Sequence, residues 1–522
     1  MLSSLTGFLG FTFLVIFFVW YRLKNENLES EKGYFLAGKS LTAPVIAASM
    51  LLTNISTEHL IGMNGNAYKN GIIVIAWEVT SAIALVIAAL YFLPKYIKMG
   101  LTTIPEYLEN RYDSLTRTLV ALFLMVSFVV TLLPIVLYSG ALNIESIFEI
   151  STNLHITKTE GLWYSVLAVG IIGSAYAIFG GLKAVAYSDT LNGIGLLFCG
   201  LLIPVLALWS IGDGNMLSGL TKVYDYAPEK FNIIGAEDSV LPFSVLFTGL
   251  MINQLYFWGM NQTIIQRAFG AKNLAEAQKG LLYTGVLKIF IPLVIVLPGL
   301  IAYYYFQDQY YDNQDIVYPL LVKKVLPASL TGLFAAVILG AVLSTFNSVL
   351  NSASTIFCFD LYKKHVNKNI SERELVKIGK WTAVILAVFA IIAAPLVASA
   401  PEGLYQMMQQ LNGIFFIPIA SILMAGFFVK SVNANGAKVG LLFGFLFYIL
   451  TTFIFDSGIH FVHIWGIEFV LNILLMIGVS KLYPTGKVVV EETKDSSEPW
   501  KYSNIMGLTL VVITILIYYL LS

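Results

Sequence analysis

Apolar runs long enough to cross a membrane recur from one end of this sequence to the other. A hydrocarbon layer takes about 20 apolar residues of helix. Fourteen such runs are read, near 4–22, 41–68, 72–96, 117–146, 161–181, 188–211, 240–266, 277–306, 327–362, 375–397, 404–429, 435–455, 459–480 and 503–521. They are continuous and show no period-two alternation, which excludes a membrane β-barrel. The expected fold class is therefore an all-α polytopic membrane protein with about 14 transmembrane helices. Charged residues make up 12% of the 522 positions, about half the share in a soluble chain, so no soluble domain of useful size remains. The lipid bilayer is the expected surrounding. The net charge of zero argues against nucleic acid as a partner. Cys199 and Cys358 both lie in apolar runs and form no disulfide framework or metal motif. The first run does not read as a cleavable signal, because Arg22 and Lys24 follow it rather than precede it.

Basic residues orient the spans. With the N-terminus outside, the 31 Lys and Arg divide into 24 on inner loops, six on outer loops and Lys288 within a span. The outer loop 306–326 carries Asp308, Asp312 and Asp315 instead. This predicts a multi-pass protein of the cell membrane with both termini outside. The polar stretch 484–502, with Glu491, Glu492, Lys494, Asp495 and Glu498, reads as a cytoplasmic linker to a peripheral last helix.

Two spans are too polar to stay regular. The second holds Thr53-Asn54-Ile55-Ser56-Thr57-Glu58-His59, and the seventh holds Asn253-Gln254 and Trp258-Gly259-Met260-Asn261-Gln262. Non-helical backbone at membrane depth is tolerated where it lines a cavity. Interrupted helices at matching places in two halves point to a transporter built from inverted repeats. The chain then divides into a peripheral helix with its inner loop (1–40), repeat one (41–211), repeat two (240–429) and peripheral helices (430–522). Two core helices with capped polar kinks are the alternative.

Ionisable groups at depth are costly and usually functional. Glu78 lies on the third span, and Lys288 lies nine residues beyond Lys279, about 13 Å deeper. They read as solute-binding groups or as a structural ion pair. His59 reads equally as a solute ligand or a hydrogen-bonded core histidine, and Glu468 on the thirteenth span reads as a packing or interface group. The ninth span repeats hydroxyls through Ser344, Thr345, Ser348, Ser352, Ser354 and Thr355. Facing an unwound segment, these could ligate a small hard cation, and small-residue helix packing accounts for them equally well. No phosphate-binding glycine loop or catalytic triad pattern is present, so neither ATP-driven transport nor enzymatic catalysis is expected.

Tyr34-Phe35-Leu36-Ala37-Gly38-Lys39-Ser40, Ile104-Pro105-Glu106-Tyr107 and Gly180-Gly181-Leu182-Lys183-Ala184-Val185 leading to Asp189 resemble the solute:sodium symporter family. Asn261-Gln262-Thr263-Ile264-Ile265-Gln266-Arg267, Ala277-Gln278-Lys279-Gly280, Val296-Leu297-Pro298-Gly299-Leu300 and Leu350-Asn351-Ser352 resemble its sodium–glucose branch. The resemblance covers roughly residues 30–430. It implies a leucine-transporter-like 5+5 inverted repeat with extra terminal helices. It implies a Na+ site from the carbonyls of Leu52, Ile55 and Ala341 and the hydroxyls of Ser344 and Thr345, with Asp189 near the inner ion route. Asn54, Glu78, Ser81, Lys288 and Gln409 fall on the branch's sugar-binding positions. Trp77, Phe257 and Trp258 fall on its aromatic gates. Three positions depart: the branch tends to carry Gln at His59, Asn at Gln254 and Tyr at Phe257, and all three are placed at the substrate pocket.

The resulting expectation is a sodium-coupled symporter, Na+ being the coupling ion, that imports a small polar solute by alternating access. The solute is expected to be a neutral monosaccharide. The rivals are a sodium symporter for sialic acid, a carboxylate or an amino acid, and a solute sensor on a transporter scaffold.

Overall fold

The computed structural model describes residues 2–399, 404–455, 457–485 and 498–522. Glu491, Glu492, Lys494 and Asp495 of the polar stretch lie outside the described residues. The described chain is helical, without a named strand. The helices that position the site are α1 (Leu2–Leu23), α2 (Ala43–Asn54), α3 (Thr57–Asn70), α4 (Ala76–Ile87), α5 (Leu133–Phe148), α6 (Lys158–Ile211), α7 (Gly249–Gly259), α8 (Gln262–Phe269), α9 (Leu274–Phe290), α10 (Ala328–Ile356), α11 (Leu404–Phe428), α12 (Ala434–Ile449) and α13 (Phe461–Leu482).

Among the described residues, ten helices are long and apolar enough to cross a membrane, or eleven with the pair Leu274–Phe290 and Pro292–Tyr305, which bends by 41°. The sequence reading had fourteen runs. The three runs not counted here are 41–68, 161–181 and 240–266, and each falls where a helix is broken or merged. The run 41–68 becomes α2 and α3, and the run 240–266 ends in α7 and α8. The run 161–181 is the first part of α6. Unbroken, the 54 residues of α6 would extend about 81 Å, far beyond a bilayer. The chain turns at Gly181, at φ 56° and ψ −156°. A Cβ at that position would sit 2.4 Å from the Tyr34 carbonyl oxygen, so no side chain fits. The turn frees carbonyls on the preceding helical turn. The Tyr34 hydroxyl donates to two of them, Ala177 O at 2.9 Å and Ile178 O at 3.1 Å.

Both interruptions foreseen in the sequence are present. α2 ends at Asn54, Ile55 has φ −94° and ψ 91°, and Ser56 is extended before α3 begins. α7 ends at Gly259, and Asn261 is extended. The Asn261 carboxamide oxygen accepts from the Thr263 amide at 2.9 Å and its hydroxyl at 2.8 Å, which caps α8. α2 packs against α6, α9 and α10, and α7 packs against α4, α11 and α13. The two breaks therefore face the middle of one helical bundle.

Candidate functional site

A cavity of about 740 Å³, counting the space at its mouth, lies between the two breaks. Only about 70 Å³ of it is open to a water-sized sphere, so the site is nearly closed around its lining side chains. Its wall includes Asn54, Glu58 and His59 from the first break, Trp77 and Glu78 from α4, and Asn253, Gln254, Phe257 and Trp258 from α7. Lys288, Thr345, Tyr405, Gln409 and Asn412 complete its polar rim.

Glu78 and Lys288 form a direct ion pair, each with 1% of its side chain exposed. The second carboxylate oxygen of Glu78 lies 2.7 Å from His59 Nε2. The Lys288 ammonium also donates to Asn54 Oδ1 at 2.7 Å and lies 5.2 Å from the centre of the Trp258 ring. One carboxylate and one ammonium thus cancel, and both are hydrogen-bonded further, which a buried pair requires. His59 packs edge-on against Tyr405 at 4.9 Å.

The remaining expected solute positions differ in how free they are. Gln254 is fully engaged. It donates to the Trp77 carbonyl at 2.6 Å and to Thr80 Oγ1 at 3.2 Å, and accepts from Trp258 Nε1 at 3.2 Å. Its place is to fix the two tryptophans. Gln409 lines the cavity and donates to the Tyr405 hydroxyl at 3.3 Å. The Ser81 hydroxyl donates to the Glu78 carbonyl on its own helix and is not on the cavity wall. Phe257 lines the wall with its ring against Trp258. Tyr405, Glu58 and Asn412 were not assigned by sequence. Tyr405 touches both His59 and Trp77, and the Glu58 carboxylate accepts from Ser139 on α5 at 3.1 Å.

The proposed cation ligands lie beside the first break. Thr345 Oγ1 is 2.9 Å from the Thr53 carbonyl and 3.5 Å from that of Leu52. Ser344 Oγ is buried beside the Asp189 carboxylate. Hydroxyls beside the free carbonyls at the end of α2 form an oxygen set that suits a small hard cation. Asp189 is buried on α6, where its Oδ2 accepts from Ser49 on α2 and its carboxylate also faces Ser344. Arg267, fully buried, donates to Ser49 at 3.2 Å and to Ser348, which in turn lies 2.9 Å from Thr53 Oγ1.

Two broken helices around a polar cavity, with an oxygen-rich niche beside one break, define an ion-coupled membrane transporter. The chain belongs to the Sodium:solute symporter family, whose profile matches residues 34–444. It is 42% identical over 517 residues to the symporter YidK of Escherichia coli (strain K12), covering 99% of this chain and 90% of that one. It is 34% identical over 442 residues to the sodium/glucose cotransporter of Vibrio parahaemolyticus, covering 80% and 79%. A substrate-bound, outward-open Na+-coupled sialic acid symporter shares the fold, with TM-score 0.79 at 20% identity over 93% of this chain and 99% of that one. The protein is accordingly a multi-pass membrane transporter rather than an enzyme, and Na+ is its coupling ion for import of a small solute.

Proposed function

We propose that this protein imports a neutral monosaccharide with sodium by alternating access. The observation that carries the reading is the closed electrostatic balance of the cavity. Lys288 is paired to Glu78 and bonded to Asn54, so no free positive charge is left for an anionic solute. Glu58 adds a second carboxylate to the wall, which opposes an anion further. Sugar hydroxyls both donate and accept. They suit the Glu78 carboxylate, the Asn54, Gln409 and Asn412 amides and His59, while Trp77, Phe257 and Trp258 offer faces to an apolar ring surface. The relatives named as sodium/glucose and sodium/myo-inositol cotransporters support a polyhydroxylated solute.

The ion site is read as Leu52, Ile55, Ala341, Ser344 and Thr345, with Asp189 on the inner route. Sodium there would hold α2 against α10 and order Asn54 for solute, a positive linkage between two sites. The frame is read as fourteen spans, with residues 41–211 and 240–429 as inverted repeats, and both termini outside. The matching breaks of α2–α3 and α7–α8 support the repeat. A thermal-shift screen of purified protein tests the solute, using neutral sugars, sialic acid and proline in sodium and in potassium. Stabilisation by a neutral sugar in sodium alone is expected. Stabilisation by sialic acid or proline and by no sugar contradicts it.

A further inference from the structure

Behind the cavity, α11, α12 and α13 enclose a second polar cluster. Glu468 and Asn472, one turn apart on α13, are both 0% exposed. Both carboxylate oxygens of Glu468 and both amide atoms of Asn472 lack a hydrogen-bond partner, and the Tyr448 hydroxyl stands near Glu468, against Trp465 and Thr452. The backbone opposite is cut away to make room. A Cβ at Gly444 would meet Asn472 Nδ2 at 2.6 Å and Glu468 Oε1 at 2.7 Å, and one at Gly440 would meet Asn472 Oδ1 at 3.0 Å. Trp465, one turn before Glu468, packs against Trp77 of the cavity wall at 6.2 Å between ring centres.

Among the described residues no cation neutralises this carboxyl group. Among the described residues, α7 and α11 offer no charged side chain to it, only the phenols Tyr256 and Tyr405. The turn Leu450–Ile454 has no titratable group, and α12 has Tyr448 and Lys438, the latter tied to Asp113 at 2.8 Å. On α13 itself, His463 bonds Thr248 at 3.0 Å, and Lys481 stands near the exposed end of the helix. Leaving an unpaired carboxylate charged between three helices is strongly unfavourable. Its surroundings also do not favour a metal ion, because among the described residues no group of three or more His, Cys, Asp or Glu side chains gathers there. We infer that Glu468 is a proton-binding site, held as the neutral acid when the three helices are packed. Losing the proton would place a charge between the helices that back the cavity tryptophans, so the packing of this wall is coupled to pH. The inference stands apart from the identity of the solute.

The test uses the full chain purified in detergent with sodium and no solute, the proton being the probe. Infrared spectra near neutral pH are expected to show a protonated-carboxyl band that Glu468→Gln removes. The thermal midpoint of the native protein is expected to fall by several degrees as pH rises into the alkaline range, and that fall is expected to be reduced in Glu468→Gln. If Glu468→Gln does not accumulate, Glu468→Met, similar in volume, replaces it. Failure of both neutral variants to fold overturns the inference, since a neutral side chain should replace a neutral acid. It is also overturned if the band is absent, or if sodium stabilises the native protein through a site that Glu468→Gln removes, because the ligand would then be sodium.

Discussion

The Lys288 ammonium bonds the Asn54 amide oxygen at 2.7 Å, on the last residue of α2 before its break. The two residues before Asn54 supply the carbonyls that face Thr345. The solute cavity and the ion niche therefore share one short stretch of backbone. Ordering of that stretch by sodium acts directly on Asn54, and through it on Lys288 and Glu78.

Ser344 and Thr345 separate ion binding from folding. Ser344→Ala removes a buried hydroxyl with no close hydrogen bond, set beside Asp189, so stability is expected to stay near normal. Thr345→Ala loses a hydrogen bond to the Thr53 carbonyl, which contributes about 1 kcal/mol. Both are expected to weaken apparent sodium affinity by about tenfold, or ~1.4 kcal/mol. Sodium titration of uptake, with thermal melts alongside, checks this; unchanged sodium affinity in both variants would remove the niche from the ion path.

The Glu78–Lys288 pair is expected to serve both packing and solute. Lys288→Met strands a buried carboxylate and is expected to cost about 3–5 kcal/mol, somewhat relieved by His59. Glu78→Leu together with Lys288→Met is expected to regain stability and still show no uptake. Recovery of uptake in the double variant would make the pair purely structural.

His59 and Gln254 are expected to act differently although both depart from the sequence pattern. His59 faces the cavity, so His59→Gln is expected to change the order of preference among neutral sugars. Gln254 is spent on Trp77, Thr80 and Trp258. Gln254→Asn shortens that clamp and is expected to raise KM about tenfold for every sugar, the loss of roughly one hydrogen bond. Competition assays with a sugar panel distinguish a change of order from a uniform loss.

Outside the spans, Glu109 and Asp113 are held below the ordinary carboxylate range. For each, burial opposes the shift and is outweighed by hydrogen bonds and charge from Lys364 and Arg117 in the first case, and from Lys438 and Thr116 in the second. Depressed carboxylates stabilise the fold above their ordinary values, about pH 4, and lose that contribution as pH falls through their lowered ones. Thermal midpoints are expected to fall with acid below about pH 4, less steeply in Glu109→Gln with Asp113→Asn. Equal acid sensitivity in that variant would assign the loss to other groups.

Much of the fold was legible because apolar length and polar interruption are sequence-local. Both breaks followed from their composition. The fourteen-run count was not reproduced by length and composition, because α2, α7 and the turn of α6 at Gly181 depend on how pieces meet. The motifs that carried the family resemblance are largely contact points between distant segments. Gln266 donates to the Phe35 carbonyl at 3.0 Å, Gln262 accepts from the Ile104 amide at 2.8 Å, and the Gly299 amide donates to Asn64 at 2.9 Å. Glu78 and Lys288 were found from their depth alone. Their pairing was one of the two readings, and the structure forms it; the role of Tyr405 was not legible, since it depends on distances between helices far apart in the chain. That the Ser81 hydroxyl bonds the Glu78 carbonyl of its own helix was not legible either, because a serine on a helix can turn its hydroxyl to the preceding turn or outward.

Uptake of labelled glucose or galactose into vesicles carrying the purified protein tests the central claim most directly, with competition by neutral sugars, sialic acid, proline and carboxylates. The account expects uptake driven by an inward sodium gradient, absent in potassium, and inhibited by neutral sugars. Inhibition of sodium-driven solute uptake by an acid or an amino acid and by no neutral sugar would contradict the sugar assignment.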